Sequence, residues 1–122
     1  DAFSILDKDP SYAKLKGVFH CFTGTEEEAI EAVARGWYIS FSGIITFKSS
    51  DTLRKVVQGV PLGKILIETD APYLAPQSKR GKANEPAYLP EIAQTVANIK
   101  NMPLDKVAMA LEENTNALFA LF

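Results

Sequence analysis

Lys64-Ile65-Leu66-Ile67-Glu68-Thr69-Asp70 is an apolar run that ends on two acids. A short apolar stretch of this kind reads as a buried strand of a parallel sheet. Ala71-Pro72 takes the chain out of it, because the residue before a proline is pushed away from regular continuation. Side chains alternate along a strand, so Glu68 and Asp70 share one face and Ile65, Ile67 and Thr69 the other. A buried carboxylate costs several kcal/mol unless it is paired or bound to a cation. Two acids closing an apolar strand are therefore poor packing residues. Asp70 falls where the strand meets solvent; capping the following loop is its plainer use, and a salt bridge to a nearby basic residue is that of Glu68.

Two more strands are expected upstream. Gly17-Val18-Phe19-His20-Cys21-Phe22 is bounded by Gly17 and Thr23-Gly24, and Trp37-Tyr38-Ile39-Ser40-Phe41-Ser42-Gly43 alternates large with small or polar residues. Between them lies a helix: Thr25 with Glu28 has capping-box spacing, Glu26 to Glu28 suit the positive end of the helix dipole, and Gly36 follows Arg35 as a terminating glycine. Ser50 or Asp51 caps a short helix with Leu53, Val56 and Val57 on one face, stopped by Gly59 and Pro61. Residues 1–16 read as the tail of a helix and a connection broken at Asp9-Pro10. A loop spans residues 72–86. Helices then follow over residues 87–101, with Leu89, Ile92, Ala93, Val96 and Ile99 inward, from Pro103 at a first helical position, and over residues 114–122.

Strands alternating with helices mean an α/β chain with parallel strands. With 122 residues and 47% apolar side chains there is material for one core and one domain. Three parallel strands are few, and a complete (β/α)8 barrel takes about 250 residues. The expected architecture is the C-terminal portion of a TIM-type barrel, about three parallel strands plus C-terminal helices. Residues 1–122 then form a single unit. Its open sheet edge is covered by a missing N-terminal half or by a second copy.

The charge balance excludes some partners. Thirteen cations against fifteen acids give −2, so a broad basic surface is not expected. Contact with nucleic acid would be local or would borrow its positive charge from a metal. Cys21 is the one cysteine, which rules out an intrachain disulfide and suits a reducing, cytoplasmic setting. No stretch has the length or apolarity of a membrane span, and the first ten residues do not read as a signal peptide.

His20 is the only histidine. Alternation puts it with Val18 and Phe22, opposite Phe19 and Cys21. It is either a core histidine satisfied by a backbone group or a metal ligand or general base at the C-terminal end of a parallel strand, where barrel sites lie. One His and one Asp do not complete a divalent site, which uses three or more protein ligands. Ser78-Lys79-Arg80-Gly81-Lys82-Ala83-Asn84-Glu85-Pro86 is locally basic. Arg80 and Lys82 are candidates for holding a phosphate, against the alternative of a solvated loop; Lys48 is a weaker one. Ser40 and Ser42 lack a second histidine as base, and Cys21 is expected to face away from His20, so a serine or cysteine nucleophile is disfavoured. Tyr73 and Tyr88 are candidates for stacking on a base, with core or rim packing as the alternative.

The blocks Gly17-Val18-Phe19-His20-Cys21-Phe22-Thr23-Gly24, Tyr38-Ile39-Ser40-Phe41-Ser42-Gly43, Ile67-Glu68-Thr69-Asp70-Ala71-Pro72-Tyr73-Leu74-Ala75-Pro76 and Arg80-Gly81-Lys82-Ala83-Asn84-Glu85-Pro86-Ala87-Tyr88 resemble the TatD family of metal-dependent deoxyribonucleases. Asn114-Thr115-Asn116-Ala117-Leu118-Phe119 is similar to that family's closing helix. The resemblance runs from Gly17 onward. It implies a distorted TIM-type barrel of the amidohydrolase-like, metallo-dependent hydrolase group. It implies a site for divalent metal (Mg, Mn or Zn) at the barrel mouth and hydrolysis of phosphodiesters in DNA, often as an exonuclease. By position, His20 matches a metal-ligand histidine. Asp70 matches the aspartate that binds metal and helps to activate water. Arg80, with Lys82, would meet the substrate phosphate, and Glu68 would support the ligands from behind. The family's H-x-H pair, its glutamate ligand and a further histidine have no counterpart in this sequence, which leaves the activity with the complete barrel. Two alternatives stand beside this reading: a related metallohydrolase with a non-nucleic-acid substrate, and a half-barrel that dimerises and only binds.

Overall fold

The computed structural model describes residues 2–121; the expectations placed on Asp1 and Phe122 lie outside the described residues. Three parallel strands, β1 (Val18–Phe19), β2 (Tyr38–Phe41) and β3 (Ile65–Ile67), form a sheet in the order β1-β2-β3. Val18 pairs with Tyr38, Ile39 with Ile65 and Phe41 with Ile67. The helices are α1 (Ala2–Leu6), α2 (Glu26–Ala34), α3 (Asp51–Gly59), α4 (Leu89–Lys100) and α5 (Leu104–Phe119). Along the chain α2 packs on α3, α3 on α4 and α4 on α5, while α2 also meets β2, and α4 and α5 meet β3.

The sheet has one strongly apolar face. Phe19, Ile39, Phe41, Ile65 and Ile67 join a continuous core with Val56 and Val57 of α3, Ile92 and Val96 of α4, and Val107 and Leu111 of α5. The alternate positions Val18, Tyr38, Ser40 and Leu66 contribute nothing to that cluster, although Ser40 and Leu66 are buried. Phe3 of α1 stacks edge-on against Phe19 and Trp37 and closes the core at the β1 side.

Local chemistry explains several boundaries. Thr25 Oγ1 accepts from the Glu28 amide and the Glu28 carboxylate accepts from the Thr25 amide, the reciprocal cap expected from the spacing. Gly36 ends α2 with φ +83°, a left-handed conformation glycine adopts without a Cβ penalty. Ser50, not Asp51, occupies the cap of α3, without a side-chain hydrogen bond.

Four expectations need correction. All three strands are shorter than expected. Regular pairing of β1 stops at Phe19, and His20 and Cys21 form a turn with Cys21 at φ +48°. Alternation therefore lapses, and Phe22 is buried in the core while His20 is exposed. Gly43 leaves the sheet to begin a 3-10 turn, Gly43–Thr46. Beyond Ile67, Glu68 still donates its amide to the Phe41 carbonyl, but Asp70 has turned to φ +57°. Finally, no separate helix starts at Asn114. α5 runs through it unbroken, and Pro103 caps it instead of occupying its first position. Asn in a helix usually competes with the backbone for hydrogen bonds. Here Asn114 is buried and donates at 2.8 Å to the carbonyls of Leu62 and Ile65, so its amide fastens α5 to the start of β3.

Candidate metal centre

Parallel strands deliver their C-terminal ends to one edge of the sheet. β1 and β3 are second neighbours across β2, roughly 9–10 Å apart by ordinary strand spacing. Long side chains from the two ends can therefore meet above the end of β2. They do. His20 Nδ1 lies 2.6 Å from Glu68 Oε1, and His20 Nε2 lies 3.2 Å from Asp70 Oδ1. Donor atoms of His20, Glu68 and Asp70 all fall within 4.8 Å of one another. The imidazole is 68% exposed, which disposes of the core-histidine alternative, whereas Glu68 and Asp70 are only 14% and 18% exposed.

Asp70 and the turn that carries His20 reach the site by departing from strand geometry. Asp70 and Cys21 each sit in the left-handed region, uncommon for residues with a Cβ and concentrated at functional sites. The turn that carries Asp70 is braced by a residue to which the sequence lent no role. Asn84 is buried, and its Nδ2 donates to the carbonyls of Thr69 at 2.5 Å and Tyr73 at 2.7 Å, one on each side of Asp70. The Asn84 amide donates to the Pro72 carbonyl at 2.9 Å. An asparagine inside a basic stretch carries no periodic signal; only its type, suited to bridging backbone groups, hinted at this use.

Cys21 is not directed away from the site. Its Sγ donates to Ser42 Oγ at 3.5 Å, and burial, with the neighbouring Asp70 and Glu68 carboxylates, pushes the thiol up to about 11. The expectation that Cys21 faces away from His20 is thus corrected: the turn at φ +48° brings its thiol beside the two acids.

Glu68 Oε1 is buried and, despite its closeness to the imidazole, has no hydrogen bond of proper geometry. An orphaned carboxylate oxygen is costly in a folded protein. One imidazole and two carboxylates form a mixed N/O donor set suited to a divalent cation such as Mn or Zn. A cation there would supply the counter-charge that Glu68 lacks. These residues therefore fit a divalent metal, with Glu68 lying as close to the imidazole as Asp70 does rather than behind it.

The basic residues are not gathered in. Arg80 places its guanidinium 4.2 Å from the centre of the Phe47 ring, and Lys82 is exposed. Among the described residues neither forms an ion pair. Lys48 is exposed, and it is its backbone amide that bonds Gln77 Oε1. Tyr88 is half-buried under Lys79, 5.6 Å from its ring, but Tyr73 stands 74% exposed.

Comparison with known proteins gives the family and the fold. The family described as TatD related DNase matches residues 1–120. The uncharacterized metal-dependent hydrolase YabD of Bacillus subtilis is 39% identical over 99% of this chain and 47% of its own length. The 3'-5' ssDNA/RNA exonuclease TatD of Citrobacter rodentium is 41% identical over 93% of this chain and 45% of its own length. The crystal structure of YJJV, a TatD homolog from Escherichia coli K12, superposes with a TM-score of 0.81 at 32% identity, over 87% of this chain and 41% of that one. The chain thus spans less than half the length of these relatives, and its three strands and helices match part of a TIM-type barrel. Matched along nearly its whole length, the chain belongs to the TatD related DNase family.

Proposed function

We propose that this chain carries part of the active site of a divalent-metal-dependent hydrolase that cleaves phosphodiester bonds in DNA, working from an end. The convergence of His20, Glu68 and Asp70, with a buried carboxylate oxygen lacking a donor, is the observation that carries this reading. The similarity to a relative named as a 3'-5' exonuclease on single-stranded DNA and RNA supports the substrate class. The rest of the barrel would supply the remaining ligands and add strands at the open edges of β1 and β3.

In this reading His20, as neutral imidazole, and Asp70 hold the metal, and Glu68 either joins them or fixes the imidazole ring. A bound divalent cation lowers the pKa of water and neutralises phosphate oxygens. Asp70 would accept the proton released as water attacks phosphorus, while the ester P–O bond opposite the water breaks and the leaving sugar oxygen takes a proton from solvent. Arg80 and Lys82 approach the phosphates only once substrate draws them from solvent.

Two measurements test the proposal. In the complete barrel, Asp70→Asn is expected to abolish magnesium-dependent degradation of single-stranded DNA while circular dichroism stays unchanged. Retained activity refutes the role of Asp70. Equal turnover of small esters and no turnover of DNA would reassign the substrate.

A further inference from the structure

We propose that Tyr73 is a stacking platform for a nucleobase, the element of the site that engages the base while the His20–Asp70 cluster engages the phosphate; the inference rests on the nuclease reading above. Three observations meet at this residue. First, Tyr73 is 74% exposed, more than any other large apolar side chain among the described residues, and there it touches no other ring or cation. Rim packing, the plainer expectation for it, is thereby set aside. Second, its backbone is held at both polar groups: the Tyr73 amide donates to the Asp70 carbonyl at 2.9 Å, and the Tyr73 carbonyl accepts from Asn84 at 2.7 Å. An exposed side chain on a mobile tip would need no such anchoring. Third, the same Asn84 amide also bonds the Thr69 carbonyl beside Asp70, so one side chain ties the backbone of Tyr73 to the backbone that carries the carboxylate.

The chemistry suits a base better than an apolar partner. A tyrosine offers a flat π face with a polar edge that stays hydrated, and it loses little rotamer freedom on contact. Every base has a π face, so stacking tolerates any sequence, which fits an enzyme that shortens a strand nucleotide by nucleotide. The exposed Lys82 in the same folded-back loop supplies local positive charge for the backbone, although the chain as a whole is acidic.

The test reads binding, not turnover. A short single-stranded oligodeoxynucleotide with 2-aminopurine at its 3′ end is titrated, in excess EDTA to prevent turnover, with the complete barrel that contains this chain, together with a twin whose 3′ nucleotide is abasic. Stacking on Tyr73 is expected to quench the 2-aminopurine. Tyr73→Phe is expected to retain the quench, and Tyr73→Leu, apolar but without a π face, to lose it with an affinity loss of roughly 5- to 150-fold. The abasic twin should bind as weakly to the unsubstituted barrel as the parent oligonucleotide does to the Leu variant. Quenching and affinity that survive Tyr73→Leu overturn the platform and leave the nuclease reading standing. If the complete barrel with Tyr73 unsubstituted binds neither oligonucleotide, the nuclease reading itself falls and takes the platform with it.

Discussion

Asn84 spends both hydrogens of its side-chain amide on two carbonyls of one turn and so holds Asp70 in a backbone conformation it would not keep alone. Asn84→Ala leaves the Thr69 and Tyr73 carbonyls without these donors. Both bonds are part-buried, so water replaces them only in part and each loss costs roughly 1 kcal/mol; thermal unfolding of this variant is expected a few degrees lower. Its affinity for Mn should fall as well, read by calorimetry, because Asp70 loses its bracing. A variant that melts earlier but binds Mn with full affinity would show that Asn84 serves the fold alone. At this scale the sequence was informative about chemistry and silent about geometry. His20 and Asp70 could be named as candidates because both fall at the C-terminal ends of parallel strands, although a core histidine and a loop cap were open alternatives and the resemblance was what favoured a ligand role. Cys21 was misplaced and Asn84 overlooked because both depend on left-handed residues, and alternation along an ideal strand does not foresee those.

At the scale of elements, α1 is the least secured piece: five residues with Phe3 alone buried. Besides the packing of Phe3, it is tied to the rest through Asp7, whose carboxylate receives Arg35 at 2.7 and 3.0 Å just past the end of α2. The hydrogen bonds from Arg35, and its charge, hold the Asp7 carboxyl below the usual carboxylate range. A depressed folded-state pKa contributes stability that is complete above the unfolded value and disappears as pH falls through the folded one. Asp7→Asn is therefore expected to lower the Tm slightly at pH 7, with the difference shrinking as pH drops through 3.8 and below. High salt should shrink it too, since the pair is exposed. A difference that is constant from pH 7 to pH 2 would mean that the carboxylate charge plays no part. The capping box of α2 and the inward faces of α3 and α4 were read well because they follow from local residue types. Strand ends were not, because a strand stops where its neighbour stops. The unbroken α5 was hidden for a similar reason: the two carbonyls that employ Asn114 come from about fifty positions earlier in the chain.

For the molecule as a whole, two acids and a histidine crowded at one edge are a liability when no cation is present. Binding that is confined to the folded state adds stability by mass action, about 2.7 kcal/mol when the free ligand exceeds Kd a hundredfold. Mn is accordingly expected to raise the Tm of the chelator-treated chain by several degrees and excess EDTA to reverse the gain. Asp70→Asn should respond to neither. An unchanged Tm across millimolar Mn would argue against a cation at these residues. The barrel-type topology was readable from the alternation of strands and helices. How far the sheet extends was not, since strands at β1 and β3 pair with whatever lies beside them.

The left-handed backbone at position 70 also governs how experiments there should be designed. Asn is among the few side chains that tolerate that conformation nearly as well as Asp, whereas Ala and the larger aliphatics resist it. A loss seen in Asp70→Ala would mix missing chemistry with a distorted chain, and only the Asn exchange separates them. In a saturation scan, glycine at 70 should fold well yet be inert, and valine should fail on both counts.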